Sequence, residues 1–151
     1  MSGWPGKPRL PTDLDDILGF HLRLAHGAVL RHFTEHFAEL ELTQKQVSVL
    51  WLAHDQPGIA QTDLAARLQM DRATTMAIVH ALERRGLLAR GYSVNDKRRV
   101  ALRLTSEGGA ALTQARRAIT THETWLKNKF SKAEIGQLTA LLRRIHDELR
   151  A

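Results

Sequence analysis

The residues of this chain that are best suited to chemistry are a dense run of basic side chains between Arg84 and Arg103. Seven lysines or arginines in this segment face a single acid, Asp96, so the segment carries the whole formal excess of +6. Regularly spaced phosphates suit such a concentration of charge, because each Lys or Arg docked on a phosphate releases condensed counterions. The segment therefore favours a nucleic acid as binding partner.

The same basic segment has the repeat of a β-hairpin. After Gly86 the apolar positions recur at every second residue, which is the period of a strand and not of a helix. One face would carry the outgoing residues Leu88, Arg90 and Tyr92 and the returning residues Val100, Leu102 and Leu104. The other face would carry Arg99, Ala101 and Arg103. The pattern predicts a two-stranded β-wing with one core face and one basic face.

The elements that must position this hairpin are helical. Apolar residues repeat every three or four positions from Leu18 to Phe37, which predicts a long first helix. A short helix is expected from about Gln61, and capping residues mark the starts of four others at Thr43, Asp71, Thr105 and Ser131. The order of helices followed by a basic hairpin predicts a mainly α, winged helix-turn-helix fold.

The helix that follows Asp71 is the expected reader of DNA bases. At about 100° per residue, Thr75, Ile78, Val79 and Leu82 share the core side, and Ala77 lies opposite them with the candidate contacts. The first turn offers free amides and partial positive charge, which suit a phosphate. We predict DNA contacts from the reader helix, at Arg72, Ala73, Thr74, Met76, His80 and Arg84, and from the wing, at Asp96, Lys97, Arg98 and Arg99. Asp96 is expected to orient Arg98.

The terminal helices are expected to join two copies of the chain. The last one has apolar residues spaced three and four apart, at Ile135, Leu138, Leu142, Ile145 and Leu149. The first helix is apolar on more than one flank, which is typical of a helix that also packs against a partner subunit. We divide the chain into a flexible N-terminal arm (1–12), a helical dimerisation region (13–40 and 105–151) and a DNA-binding winged helix-turn-helix domain (41–104).

The central segment resembles the MarR family of transcriptional regulators. The matching run is LAARLQMDRATTMAIVHALERRGLLARGYSVNDKRRVALRLTSEG, about a third of the chain, with anchors at Leu64, Ala65, Gly86, Leu87, Asp96, Arg98, Leu102, Leu104, Thr105 and Gly108. The resemblance implies a homodimer that binds a pseudo-palindromic operator and releases it when a small molecule binds. Asp96 and Arg98 match the wing-tip pair of the family. The segments RATTM and LRLAHGAV are similar to those of family members that respond to aromatic acids or their coenzyme A thioesters.

Two positions depart from the pattern of that family. Ala60 stands where a Ser or Thr commonly caps the third helix, and Ala cannot accept that hydrogen bond. Ala77 stands near the place of a common Arg on the reader helix. These departures shift the expected DNA contacts toward Arg72, His80 and the wing.

The sequence suggests an organic ligand. No cysteine is present, which excludes thiol-based sensing and thiolate metal sites. An aromatic acid or acyl-CoA ligand would meet apolar and basic side chains, and the candidates are Phe20, His21, Arg23, His26 and Trp51. A metal-responsive regulator stays an alternative, because His32 and His36 lie one turn apart and helices that are expected to meet carry His21, His26, His122 and His146. No metal or other cofactor is predicted.

Other classes of protein fit the sequence less well. An enzyme would need a nucleophile elbow, a phosphate loop or paired carboxylates, and the sequence has no such motif. A non-specific architectural nucleic-acid protein remains a second alternative, although aromatic residues make up only 5% of the chain. Neither a spanning apolar stretch nor a signal-peptide core is present, so we expect a cytoplasmic protein without membrane contact.

Overall fold

Residues 10–92 and 98–147, which the computed structural model describes, form a helical body with a small sheet at one end. The helices are α1 (Leu18–Phe37), α2 (Gln44–Asp55), α3 (Gln61–Arg67), α4 (Arg72–Arg84), α5 (Ser106–Lys127) and α6 (Lys132–His146), and the strands are β1 (Ile59–Ala60), β2 (Leu88–Tyr92) and β3 (Val100–Leu104). Short 3-10 turns at Asp13–Asp16 and Ala38–Leu40 flank α1. The predicted mainly α winged helix-turn-helix is confirmed.

The predicted helix starts are confirmed by their capping hydrogen bonds. The Thr43 hydroxyl accepts from the Gln46 backbone amide at 3.1 Å, and the Gln46 side chain accepts from the Thr43 amide at 3.0 Å, which completes a capping box. Ser131 forms a second capping box at the start of α6, and Asp71 and Thr105 cap α4 and α5. Ala60 precedes α3 without a side-chain capping bond, because its methyl group cannot accept a hydrogen bond.

The sheet has one strand more than the predicted hairpin. Its order is β1-β3-β2, and both pairings are antiparallel. Strand β1 is only two residues long and places Ile59 opposite Leu102 and Ala60 opposite Ala101. The segment that leads into α3 is thereby joined to the β2–β3 hairpin, which we call the wing (residues 88–104).

The predicted division of the hairpin into core and basic faces was partly wrong. Ala101, which the alternation assigned to the basic face, is buried, because β1 pairs beside it. Arg90 and Tyr92, which were assigned to the core face, are exposed. Only the base of β2, at Leu88, reaches the core, since the outer part of the strand extends past the helices.

The core lies between the helices and the base of the wing. Phe33 and Phe37 of α1 stack with ring centroids 3.8 Å apart, and the fully enclosed side chains around them include Leu50, Leu64, Leu82, Leu102 and Leu112. Thr75 and Val79 of α4 are buried, so the predicted core side of the reader helix is confirmed. The hydroxyl of Thr75 donates to the Asp71 carbonyl at 2.8 Å, which satisfies a polar group that is otherwise costly to bury.

Apolar side chains remain exposed at both ends of the chain. Within α6 no residue is buried, and its exposed apolar residues are Leu138, Leu141, Leu142 and Ile145. Around the start of α1, the exposed apolar residues are Leu10, Leu14, Ile17, Leu18 and Leu22. Residues 1–9 of the predicted arm, and Leu149 of the last apolar stripe, lie outside the described part of the chain. In the part that is described, no helix is long and apolar enough to cross a bilayer.

Candidate DNA-binding surface and the adjoining cavity

The surface of α4 that faces away from the core carries most of the predicted reader residues. Arg72, Ala73, Met76, His80 and Arg84 are all exposed. Thr74 is half-buried, and its hydroxyl donates to the Asp71 carboxylate at 3.0 Å. The structure therefore groups five of the six predicted reader residues on one accessible surface, whereas the Thr74 hydroxyl is occupied at the start of the helix.

Asp71 fixes the N-terminal turn of α4. Its carboxylate accepts from the Thr74 backbone amide at 2.7 Å, and this bond, together with the bond from the Thr74 hydroxyl, holds the pKa of Asp71 below its ordinary value. The acid is therefore ionised at neutral pH. It also occupies the amide of the turn that would otherwise be available to a phosphate.

Two cations of the wing are bound to acids of the neighbouring helices. Arg90 donates twice to Glu83 of α4, at 2.9 and 2.6 Å. Arg99 donates to Asp63 of α3 at 2.8 Å, with Thr62 at 3.4 Å. These ion pairs fix the wing against both helices of the helix-turn-helix. Arg98 is exposed next to Arg99, and the predicted contacts Asp96 and Lys97 lie outside the described residues.

The wing is also packed closely against the start of α5. Thr105 donates from its hydroxyl to the Gly86 carbonyl at 2.6 Å and accepts from the Gly108 amide at 2.9 Å. A Cβ atom at Gly108 would collide with the backbone carbonyl of Leu87. Only glycine allows α5 to approach the wing so closely here.

A cavity of about 390 Å³ lies between the helices and reaches the end of α3. Its walls come from α1, α2, the end of α3 and α5, and the lining residues are Val29, Phe33, Gln44, Val47, Ser48, Trp51, Leu52, Asp55, Arg67, Leu68, Ile119, His122, Glu123 and Leu126. Eight of the fourteen lining side chains are apolar, two of them the aromatic rings of Phe33 and Trp51, and the other six are polar or charged. This composition and size are typical of a small-molecule site.

Of the five predicted ligand residues, only Trp51 lines this cavity. Phe20, His21 and Arg23 form a separate group near the start of α1, where the Arg23 guanidinium lies 5.4 Å from the Phe20 ring centroid and His21 is bonded to the Asp15 carbonyl at 2.7 Å. His26 is exposed on the same half of the helix. The expectation that all five residues meet at one site is not supported in the single chain. The C-terminal half of α1 packs into the core, whereas its N-terminal half extends beyond it.

A pair of histidines connects α1 and α5 at the cavity wall. The Nδ1 atoms of His32 and His122 are 2.7 Å apart, and His122 is only 5% exposed. Burial lowers the pKa of both imidazoles below the ordinary 6.5; the neighbouring His36 lowers them further, while Glu35 raises that of His32 and Glu123 raises that of His122. The pair is therefore neutral at physiological pH.

The histidines that suggested a metal site are only partly brought together. His32 stacks on His36 at 3.9 Å and on Trp125 at 4.0 Å, whereas His21 and His146 lie on other parts of the helices. Across residues 10–92 and 98–147, no three His, Asp or Glu side chains are arranged to hold a metal ion.

Arg67, His122 and Glu123 line the cavity but were not predicted from the sequence as ligand-site residues. His122 continues a three-and-four spacing on α5 with Leu112, Ala115 and Ile119. A histidine within an apolar stripe was the available signal for a buried polar group.

Comparisons with known proteins agree with this architecture. The model of the MarR family matches residues 42–100. A protein of Thauera aromatica, named for transcriptional regulation of the hcr operon, is 33% identical over 130 residues, which cover 85% of this chain and 78% of that protein. The transcriptional repressor CouR bound to a 23-mer DNA duplex has a TM-score of 0.85 and 34% identity, covering 91% of this chain and 99% of that one. CouR bound to p-coumaroyl-CoA has a TM-score of 0.82 and 33% identity, over 91% and 97% of the two chains. The chain therefore belongs to the MarR family of transcriptional regulators.

Proposed function

We propose that this chain is a homodimeric repressor that binds a pseudo-palindromic operator and leaves it when an aromatic acid or aromatic acyl-CoA binds. The observation that carries the proposal is the exposed surface of α4, flanked by a cationic wing that ion pairs hold against α3 and α4. An exposed helix beside a basic hairpin is the arrangement that reads the major groove and an adjacent phosphate backbone.

Within that interface the residues have different proposed roles. Arg72, Ala73, Met76, His80 and Arg84 form the surface that enters the groove, where Met76 suits a thymine methyl and the polar groups suit base edges or phosphates. Thr74 and Asp71 hold the start of the helix. Arg98, with Asp96 and Lys97, supplies the contact of the wing tip, and Arg99 positions the wing through Asp63.

The terminal helices supply the proposed dimer interface. Leu138, Leu142 and Ile145 form one stripe along α6, and each is more than a third exposed in the single chain. An apolar stripe of this kind is buried when a second helix packs along it. A two-fold dimer would place two reader helices about one turn of DNA apart.

The cavity gives the dimer a means to respond to a ligand. Arg67 and Leu68 form part of its wall and directly precede Gln69 and Met70, the turn that leads into α4. A molecule in the cavity would therefore touch the segment that sets the position of the reader helix. The similarity to CouR, solved both with DNA and with p-coumaroyl-CoA, supports an aromatic acyl ligand. The proposed role is regulatory and not catalytic, and it places the chain in the cytoplasm with its operator.

The test of the proposed function is competition on duplex DNA. Genomic fragments retained by the full-length protein would be isolated, and the tightest fragment would be challenged with random-sequence duplex. We expect specific retention at about a thousandfold excess of competitor, and loss of that specificity, with non-specific binding kept, after His80→Ala with Met76→Ala. Displacement by an equal mass of random duplex would instead indicate the architectural alternative.

A further inference from the structure

One residue of the turn between α3 and α4 does not match the conformation that it adopts. Gln69 has a φ of 52°, in the left-handed region. The backbone amides of Gln69 and Met70 donate to the carbonyls of Ala66 at 3.2 Å and Ala65 at 3.0 Å, which is the Schellman pattern at the end of a helix. The left-handed position of this motif usually holds glycine, because a side chain there is strained. Glutamine therefore stands where the turn itself favours glycine.

The side chain of Gln69 joins this turn to the end of α6. Its Nε2 donates to the backbone carbonyl of His146 at 3.1 Å. His146 is the last residue of α6, and the final carbonyls of a helix have no partner within that helix. Among the described residues, no other hydrogen bond joins α6 to α3 or α4. The strained residue thus provides a contact that glycine could not make.

The two elements that meet at this bond have different proposed roles. In the single chain α6 has no buried residue, and its exposed apolar stripe is the proposed dimer interface. Asp71, two residues after Gln69, caps α4 and fixes the first turn of the reader helix. Met70, between them, packs against the core. The position of the end of α6 is therefore linked to the start of the reader helix through three consecutive residues.

We propose that Gln69 is a positioning residue that sets the spacing of the two reader helices in the dimer, by holding the α3–α4 turn to the end of α6. In a two-fold dimer the half-site spacing depends on how rigidly each reader helix is connected to the dimer interface. A fixed connection also reduces the freedom that is lost when both helices dock at once. This inference rests on the proposed dimeric repressor and names a residue that determines its preference for half-site spacing.

The test uses the full-length protein and duplexes that differ only in half-site spacing. The operator isolated by retention is compared with versions that have one base pair inserted or deleted at the centre, which moves one half-site by about 3.4 Å. Fluorescence anisotropy gives the affinity for each duplex. The spacing preference is the affinity for the native operator divided by the affinity for an altered one. A residue that contacts DNA directly, or that only stabilises the fold, would leave this ratio unchanged.

Gln69→Gly separates the contact from the stability of the fold. The variant loses the bond to His146 and gains a residue that suits the left-handed turn, so we expect a melting temperature that is unchanged or higher. Two lost contacts per dimer should lower operator affinity about three- to tenfold. The spacing preference should fall by about threefold or more, because the less constrained helices tolerate the altered duplexes better.

Glu41→Gly is the matched control. Glu41 is also left-handed, with a φ of 51°, and Arg85 donates to its backbone carbonyl at 2.6 Å. Glycine relieves the same strain and keeps that carbonyl, so operator affinity and spacing preference should both be unchanged. A reduced spacing preference in Glu41→Gly would attribute the effect to backbone freedom and would overturn the role of the Gln69 side chain.

Two further variants test the hydrogen bond without changing the backbone. Gln69→Glu keeps the length of the side chain and replaces the donor with an acceptor, so it should lose the spacing preference as the glycine variant does. Gln69→Lys restores a donor, and a cation suits the carboxyl-terminal end of α6, so most of the preference should remain. If Gln69→Gly does not fold, this pair decides the question.

Several outcomes would overturn the inference. One is a spacing preference that survives in Gln69→Gly and Gln69→Glu, whatever their affinity for the operator. Another is an unmodified protein that binds its operator specifically but has no spacing preference. A lower melting temperature of Gln69→Gly would show that the glutamine is required by the fold itself. In all three cases the proposed repressor remains, whereas failure of the unmodified protein to bind any specific duplex removes the repressor.

Discussion

Nη2 of Arg99 lies 2.8 Å from Oδ2 of Asp63, so the returning strand of the wing is bound to the first turn of α3. The pairing of β1 with β3 joins the same two segments through the backbone. The guanidinium of Arg99 is thus directed at the helix-turn-helix, although the sequence pattern suggested a DNA contact. Arg99 and Asp63 set the angle at which the wing leaves the domain.

Removing either member of this pair should weaken operator binding to a similar extent. We expect Arg99→Gln and Asp63→Asn each to lower affinity about two- to fivefold, in line with an exposed ion pair, and the double variant to be no worse than either. Fluorescence anisotropy with a labelled operator measures all three. Tighter binding by Asp63→Asn would instead show that Arg99 binds a phosphate once Asp63 releases it.

Arg98 should contribute a contact that does not depend on sequence. Arg98→Ala is expected to weaken binding to all duplexes and to reduce the slope of log K against log salt by about one per subunit, since one phosphate contact is lost. Binding isotherms at several salt concentrations give the slope. An unchanged slope would remove Arg98 from the interface.

The exposed stripe of α6 should be required for dimer formation. Leu142→Asp places a charge in the stripe, and we expect it to give a monomer that no longer binds the operator specifically. Ala140→Asp is the matched control, because residue 140 lies on the opposite side of the helix at about 100° per residue. Sedimentation velocity reports the mass, and a Leu142→Asp monomer with unchanged operator affinity would contradict the dimeric mode.

Two adjacent glycines should respond in opposite directions to the same substitution. Gly108→Ala would force a methyl group against the Leu87 carbonyl, so we expect a loss of about 1–3 kcal/mol in the free energy of unfolding. Gly109 has open space, so Gly109→Ala should gain about 0.5–1 kcal/mol from helix propensity. Urea unfolding followed by circular dichroism measures the stability of both variants. An equal change in the free energy of unfolding would show that the backbone at Leu87 can move away from residue 108 at little cost.

Stability should fall on mild acidification because of the His32–His122 pair. The pKa values of His32 and His122 in the folded chain lie below 6.5. Below that pH the unfolded chain therefore binds more protons at these two residues than the folded chain does. The free energy of unfolding should therefore be constant with respect to this pair above about pH 7 and decrease as the pH falls through 6.5 and below. Asp71 and Glu134, whose pKa values are lowered from 3.8 and 4.5, lose their stabilising effect only at more acidic pH.

Urea midpoints measured from about pH 8 to about pH 5.5 test this dependence. His122→Phe should flatten the curve, whereas His26→Phe, which leaves the pair intact, should retain it. A curve for His122→Phe that is parallel to that of the unmodified protein would assign the acid sensitivity to other groups.

The helix starts and the reader helix could be predicted because their signals are local. Thr43 with Gln46, and Ser131 with Glu134, identify capping boxes within four residues, and the reader helix shows its buried side in the period of Thr75, Val79 and Leu82. Strand β1 could not be predicted, because two residues show no alternation and the strand exists only through pairing with Leu102 and Ala101. Short strands of this kind are decided by tertiary contacts.

The cavity was harder to predict for a related reason. The apolar stripe of α1 runs the length of the helix, and the sequence does not say which turns lie against α5. The prediction placed Phe20 and His21 at the ligand site, whereas Val29 of the same helix lines the cavity. His122 was considered only as a possible metal ligand between helices, because its pairing with His32 spans 90 positions of the chain.

The short β1 strand has a consequence for how such a protein could release DNA. Because β1 continues directly into α3 and pairs with the wing, and Arg90 of the wing binds Glu83 of α4, the groove-reading helix and the hairpin are held together as one rigid unit. A ligand that displaces α2 or the end of α3 would tilt both contacts together. Dissociation should then be concerted, with no stable half-released state in which the hairpin still grips the backbone after the helix has left the groove.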